Sequence, residues 1–231
     1  MGLAYVEKFQ SKKLSNLNNR INNIQLQHTH FKGIPWDGRG DLDTTFGPRD
    51  LFGWIYAILH SPSYRSRYGI YLKTDFPHIP LPGCSTLFCK LVHFGEKLIQ
   101  LHLLKVENIS VLENPEVIFC GKGEAKIVKG YPKYENGKVF INPTRWFERI
   151  PEDTWRFYVG GYQVCEKWLK VRGAKGGKRP SEGRILSEED TLHYCRTVTA
   201  LTESRRIMTE IDETIEAHGG WPDAFDKMVS Y

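Results

Sequence analysis

Between Glu166 and Arg184 the chain concentrates positive charge: Lys167, Lys170, Arg172, Lys175, Lys178, Arg179 and Arg184 face only Glu166 and Glu182. Interleaved glycines let backbone amides approach phosphate oxygens closely, and the basic side chains add charge-assisted hydrogen bonds. The plainer reading is a solvated loop, and on this segment alone both stay open. Its spacing does not fit the GxxxxGK[ST] loop, which argues against an ATP site. A second cationic group, Arg65, Arg67 and Lys73, is interleaved with Tyr64, Tyr68 and Tyr71. At helical spacing the tyrosines suit packing and the arginines suit a polyanion backbone. A third candidate is Glu116, Glu124 and Lys126, an acid–acid–lysine set of the kind that holds Mg²⁺ and positions water in nucleases. Three charged residues beside a hairpin also arise by chance.

Other catalytic signatures are missing. No Gly-rich strand-to-helix turn suggests a nucleotide or S-adenosylmethionine site. Asn142-Pro143-Thr144-Arg145 lacks the aromatic that stacks on a flipped adenine in an Asn-Pro-Pro-Tyr tetrapeptide. Neither GxSxG nor HExxH occurs. His28 and His30 lie in a polar arm, where solvated histidines are the better reading, and His93 and His102 read as core-edge residues. Cys84, Cys89, Cys120, Cys165 and Cys195 form no CxxC pair and read as free thiols of a reducing cytoplasm. No metal ligand set is expected.

The elements that must position these groups follow from periodicity. Residues 1–45 read as a polar arm and linker, with an Asn/Gln/Lys-rich stretch and then turn formers. Leu51, Phe52, Ile55, Ile58 and Leu59 mark a helix from Pro48, and Ser61-Pro62 ends it and caps a second over residues 61–76. Pro77, Pro80 and Pro82 force an extended exit. A further helix is expected over 84–107, with Leu87, Leu91, Phe94, Leu98, Leu101 and Leu104 as its stripe. The texture then turns to β-type runs at 117–120, 125–131 and 138–142, with Asn136-Gly137 as a hairpin signal between the last two. A helix start at Pro151, a short strand ending at Val159, a turn at Gly160-Gly161 and another helix come next. Trp146, Trp155 and Trp168 read as core or inter-element anchors. A long helix capped at Ser187 carries Leu192, Cys195, Val198, Leu201, Met208, Ile211 and Ile215, and Gly219-Gly220 end it. The fold class is therefore α+β: helical over 46–107, β-rich with a small antiparallel sheet over 115–160, and helical over 161–218.

The 231 residues suffice for one large domain or two small ones. With 40% hydrophobic and 26% charged residues the composition is that of a globular protein, and 12 Phe, 11 Tyr and 6 Trp make it aromatic-rich. A net charge of +5 and pI near 8.9 favour a polyanionic partner. Neither a signal peptide nor a membrane span is apparent, so the expected location is the cytoplasm.

Taken in order, FGPRDLFGWIYAILHSPSYRSRYGIYLKTDFPHIPLP, LVHFGEKLIQLHLL, GKVFINPTRWFERIPEDTWRFYVGGYQVCEKWLKVR and LSEEDTLHYCRTVTALTESRRIMTEID carry a family likeness. Over about Phe46 to Glu216 the chain resembles the C-terminal specificity domain of type ISP restriction–modification enzymes. The first stretch is similar to the junction between methyltransferase and target-recognition parts of adenine-specific DNA methyltransferases. The segment GAKGGKRPSEG is longer than the turn expected there, and the nuclease, helicase-like ATPase and methyltransferase parts are missing. The resemblance implies sequence-specific recognition of double-stranded DNA, with catalysis and S-adenosylmethionine in an associated methyltransferase domain or subunit. By their own charge and setting, Arg65, Arg67, Arg172, Lys175, Lys178, Arg179 and Arg184 are the expected phosphate contacts, with no catalytic residue expected in this chain. Two alternatives stand beside it: a module docking on a methyltransferase or helicase partner, and a Mg²⁺-dependent nuclease built on Glu116, Glu124 and Lys126.

Overall fold

A computed structural model describes residues 38–42, 45–105, 110–173 and 182–225. They divide into two compact units, one from the residues up to 99 together with those from 208 onward, the other from 100–207. The architecture is mixed: helices, a four-stranded antiparallel sheet, a two-stranded hairpin and a 30-residue C-terminal helix. Among the described residues no helix is long and apolar enough to cross a membrane.

The first unit is helical. Helix α1 (Pro48–His60) begins with Pro48 in its first turn, and the buried Asp50 carboxylate accepts the N–H groups of Gly47 and Gly40, both at 2.7 Å. Helix α2 (Pro62–Tyr68) is capped by Ser61, whose hydroxyl accepts from the Tyr64 N–H at 3.1 Å. The helix expected over 61–76 is shorter than its periodicity implies. Gly69-Ile70 form a turn and only Tyr71–Thr74 resume as α3, because glycine contributes least to helix stability at the point where the stripe ends. The exit from Pro77 is extended, anchored by Tyr64 Oη donating to His78 O (2.8 Å) and Trp54 Nε1 to Pro80 O (3.3 Å). Helix α4 (Ser85–His102) ends before the expected 107, with Leu104 at φ 50. It crosses α1 at two glycines: a Cβ on Gly95 would stand 1.9 Å from the Gly53 carbonyl oxygen. The core holds Leu51, Trp54, Ile58, Leu87, Leu91 and Leu98.

In the second unit, α5 (Ser110–Glu113) precedes β1 (Ile118–Gly121), β2 (Lys133–Glu135), β3 (Lys138–Asn142) and β4 (Arg145–Glu148), ordered β1-β4-β3-β2. The expected strand 125–131 does not form; it makes one bridge, Lys126 with Ile185. Its start is held by mixed partners: Asn142 Nδ2 donates to Glu124 O (3.0 Å) and Lys126 O (2.9 Å), and the Leu186 N–H donates to Ala125 O (2.9 Å). Gly130 at φ 91 then turns the chain, so the Asn136-Gly137 hairpin pairs β3 with β2 at 133–135. Strand β4 was missed, because RWFE sets two aromatics side by side between charges and shows no alternation.

The sheet's inner row, Phe119–Phe147–Val139–Tyr134, packs on the rest of the unit: Phe147 meets Tyr194 at 4.4 Å and Tyr134 stacks on Trp155 at 5.7 Å. Helix α6 (Glu152–Trp155) leads to β5 (Tyr158–Val159) and β6 (Tyr162–Gln163), then α7 (Val164–Lys170). Trp155 is buried as expected, whereas Trp146 and Trp168 are half-buried. Helix α8 (Glu188–Ala217) opens with Ser187 Oγ accepting from the Asp190 N–H while Asp190 Oδ2 accepts from the Ser187 N–H, each at 3.1 Å. Its stripe is as expected except at Leu192, which is exposed, while Tyr194 is fully buried in its place.

Candidate functional site

On α2 the buried residue is Tyr64, which forces Arg65 and Arg67 outward. Tyr68 packs against Tyr64 (5.0 Å) and Trp221 (6.0 Å), so two of the three tyrosines are packing residues. Tyr71 is not: it lies exposed beside Ile70 and Phe76. Arg67 Nη2 reaches the Trp221 carbonyl at 3.4 Å, and Arg65 has no ion-pair partner among the described residues. Beneath them Asp212 accepts from Ser63 N–H and Ser63 Oγ, both at 2.8 Å, and from Ser61 Oγ, which fixes the start of α2.

In the second unit the basic segment is partly committed to structure. The Arg172 guanidinium lies 3.6 Å from the centroid of the Trp168 ring and donates to the Trp168 carbonyl at 3.1 Å. Arg184 pairs with Asp190, and its N–H donates to Arg172 O at 2.9 Å. Lys170 pairs with Glu166 at 2.8 Å, and the Lys167 ammonium sits 4.8 Å from the Tyr162 ring centroid. Lys175, Lys178 and Arg179 lie outside the described residues.

The acid–acid–lysine set does not assemble into a metal site. Lys126 pairs with Glu182 at 2.9 Å, and that hydrogen bond raises the lysine and lowers the carboxyl from their ordinary ranges. Glu116 and Glu124 are exposed, and among the described residues no three His, Cys, Asp or Glu stand together as a metal site. The five cysteines are free thiols.

Two features escaped sequence reasoning. The outer face of the sheet carries cross-strand rows Cys120–Trp146–Phe140–Lys133 and Ile118–Glu148–Lys138–Glu135. There Trp146 lies 5.7 Å from Phe140, its Nε1 donates to Glu148 at 3.0 Å, and Lys138 sits 5.3 Å from its ring centroid. The hydrogen bond from Trp146, opposed by desolvation and aided by Lys138, holds the Glu148 carboxyl below the usual range. The second feature is the β5–β6 hairpin, whose tip exposes Tyr158, Val159 and Tyr162. Tyr-Val-Gly-Gly-Tyr held the signal for it; that its aromatics stand outward was not legible.

These elements define an α+β module with cationic and aromatic surfaces and no assembled catalytic centre among the described residues. The sequence matches the type ISP C-terminal specificity domain over residues 4–210, and the chain belongs to that family. No curated protein matches it. Three solved structures share its fold. A nuclease-deletion mutant of the type ISP restriction-modification enzyme LlaGI, in complex with a DNA substrate mimic, is 24% identical with a TM-score of 0.52 over 73% of this chain. A DrdV–DNA complex is 22% identical with a TM-score of 0.56 over 73%. The ATP-dependent type ISP restriction-modification enzyme LlaBIII, bound to DNA, is 20% identical with a TM-score of 0.53 over 74%. The chain spans only 14%, 18% and 11% of those chains respectively.

Proposed function

We propose that this chain is the target-recognition part of a restriction–modification system, reading double-stranded DNA for an adenine-N6 methyltransferase domain or subunit that binds S-adenosylmethionine. The observation that carries the reading is the match to a specificity domain over residues 4–210. The solved structures of like fold supply its ligand, since each holds DNA or a mimic of it. In this division of labour Lys and Arg fix register on phosphates while polar side chains read base edges. Arg65 and Arg67, held outward by the buried Tyr64, serve one unit as phosphate contacts. Arg172, Lys175, Lys178, Arg179 and Arg184 serve the other, Arg172 with its guanidinium stacked on Trp168 and Arg184 after exchanging Asp190 for a phosphate. The chain works in the cytoplasm, where its DNA is.

The test is anisotropy of the full chain on a 30-bp duplex between about 50 and 200 mM salt, with unrelated duplex as competitor. Log affinity should fall linearly with log salt at a slope of about −0.9 per neutralised phosphate. Replacing Arg65 and Arg67 together by Ala should flatten the slope by about 1.8, and replacing Lys175, Lys178 and Arg179 by about 2.7. An unchanged slope removes that group from the interface. Negligible affinity at the lowest salt replaces the proposal with a protein-docking module.

A further inference from the structure

We propose that the β5–β6 hairpin is a stacking wedge that enters DNA between bases, a role that rests on the DNA-reading function above. Three large side chains stand in solvent at one tip: Tyr158 at 61% exposure, Val159 at 50% and Tyr162 at 59%. Adjacent exposed apolar groups of this kind mark interaction sites on soluble domains. The Lys167 ammonium over the Tyr162 ring is the one local partner found for them among the described residues. Among the described residues no other ring packs on Tyr158 or Tyr162 and neither hydroxyl has a hydrogen-bond partner.

The tip is also thin. Gly160 (φ 57) and Gly161 (φ 84) both occupy the left-handed region required of a tight two-residue hairpin turn. A Cβ built on either would meet nothing within 4 Å, so the turn projects into open space and carries no side chain of its own. Val159 pairs with Tyr162 and Tyr158 with Gln163, which sends the two tyrosines to opposite faces of the blade. The blade's base is fixed: Gln163 Nε2 donates to the Trp155 carbonyl at 2.6 Å, Val164 N–H donates to Phe157 O at 3.3 Å, and Trp155 is buried. A rigid root with a narrow aromatic edge is what insertion between bases requires, because the rings arrive already ordered.

Charge selects nucleic acid over a protein partner. Around the hairpin Arg156 pairs with Glu152 and Lys170 with Glu166, which leaves Lys167 and Arg172 as cations with no carboxylate partner among the described residues. The Lys167 ammonium lies over the Tyr162 ring, 4.8 Å from its centroid, and its long side chain can swing to a flanking phosphate when a base takes that face.

The experiment compares the full chain on an intact 30-bp duplex of random sequence and on the same duplex with a central two-base mismatch bubble. A wedge gains where bases are already unstacked, so the wild type should bind the bubble at least about fivefold more tightly. Tyr158→Ala with Tyr162→Ala should abolish that preference while leaving affinity for the intact duplex within about twofold, because phosphate contacts supply it. Tyr158→Phe with Tyr162→Phe, which keeps the rings, should retain the preference. Wild-type binding equal on both duplexes overturns the wedge and leaves DNA reading standing. So does a preference that survives the alanine pair, or an alanine pair that loses both duplexes equally. Failure of the wild type to bind either duplex sinks the DNA reading itself, and the wedge with it.

Discussion

Replacing Asn142 tests whether a single side chain organises the second unit. Asn142 is 6% exposed and makes five hydrogen bonds. Its Oδ1 accepts from Thr144 N–H (2.9 Å), Thr144 Oγ (3.1 Å) and Arg145 N–H (2.8 Å), shaping the turn from β3 into β4. Its Nδ2 donates to Glu124 O and Lys126 O, fastening the segment that would otherwise need a strand partner. Each bond contributes about 0.5–1.5 kcal/mol net, and water can replace some of them at this half-exposed turn, so Asn142→Ala should cost about 2–4 kcal/mol. Asn142→Asp is the sharper probe. It keeps the three accepting contacts but turns two donors into lone pairs facing carbonyl oxygens. At pH 7 it should therefore destabilise at least as much as alanine. Urea unfolding followed by circular dichroism measures both variants. An aspartate variant as stable as the wild type at pH 7 refutes the reasoning.

Gly95→Ala should lower the melting temperature, because its Cβ would lie 1.9 Å from the Gly53 carbonyl oxygen and α1 and α4 would have to separate. The cost should reach at least the usual overpacking range of about 1–3 kcal/mol, and an unshifted melt would show that the helices do not cross there. Cys84 is exposed and should react with a thiol reagent at neutral pH, whereas burial pushes Cys165 and Cys195 up to about 12, so both should react only on unfolding. Rapid labelling of either in folded protein contradicts the packing. The hydrogen bond from Arg205, reinforced by its charge against a smaller desolvation effect, holds the Asp153 carboxyl below its ordinary range. Its stabilisation should be complete above the unfolded carboxyl's value of about 4 and vanish as pH falls through the lowered folded one. Asp153 is largely exposed, so the gain over Asp153→Asn should be only about 0.2–1 kcal/mol at neutral pH, and a difference persisting at pH 2 contradicts the assignment.

The helices were legible because their signals are local. Pro48 and Asp50 open α1, Ser187 and Asp190 open α8, and each precedes an apolar stripe with helical period. The sheet was legible at the runs 117–120 and 138–142, which form β1 and β3, and at Asn136-Gly137, whose turn chemistry sits in two adjacent residues. Segment 125–131 has a strand's composition, but Lys126 O is held by the Asn142 side chain sixteen residues away and Ala125 O by the Leu186 N–H, and no periodicity encodes either. Gly53 and Gly95 drew no notice in the sequence, because that they face one another is a tertiary fact. At the surface, Arg65 and Arg67 were placed outward correctly because Tyr64 shares their helix. The outward stance of Tyr71, Tyr158 and Tyr162 followed no such rule, since an aromatic on a short element packs wherever a neighbour offers volume. Here none does.

A reader of base sequence must hold its donors still, because any ordering left for the moment of binding subtracts from discrimination. The second unit achieves this with long side chains that reach main-chain groups. Tyr134 Oη donates to Ile150 O at 3.1 Å, Tyr194 Oη to Cys165 O at 3.3 Å, and Arg196 Nε to Leu112 O at 3.0 Å. Thr154 on α6 and Thr202 on α8 share a hydrogen bond at 3.1 Å. Three of these four bonds join α8 to the short helices α5, α6 and α7, which bury too little apolar area to be rigid alone. The bonds to α6 and α7 therefore brace the two elements that flank the β5–β6 hairpin against α8. If the hairpin is the reading edge, cutting Gln163 from Trp155 should loosen the tip without touching DNA: Gln163→Ala should weaken preference for the bubble while leaving the salt slope unchanged. A slope that changes with it would make Gln163 a contact residue instead.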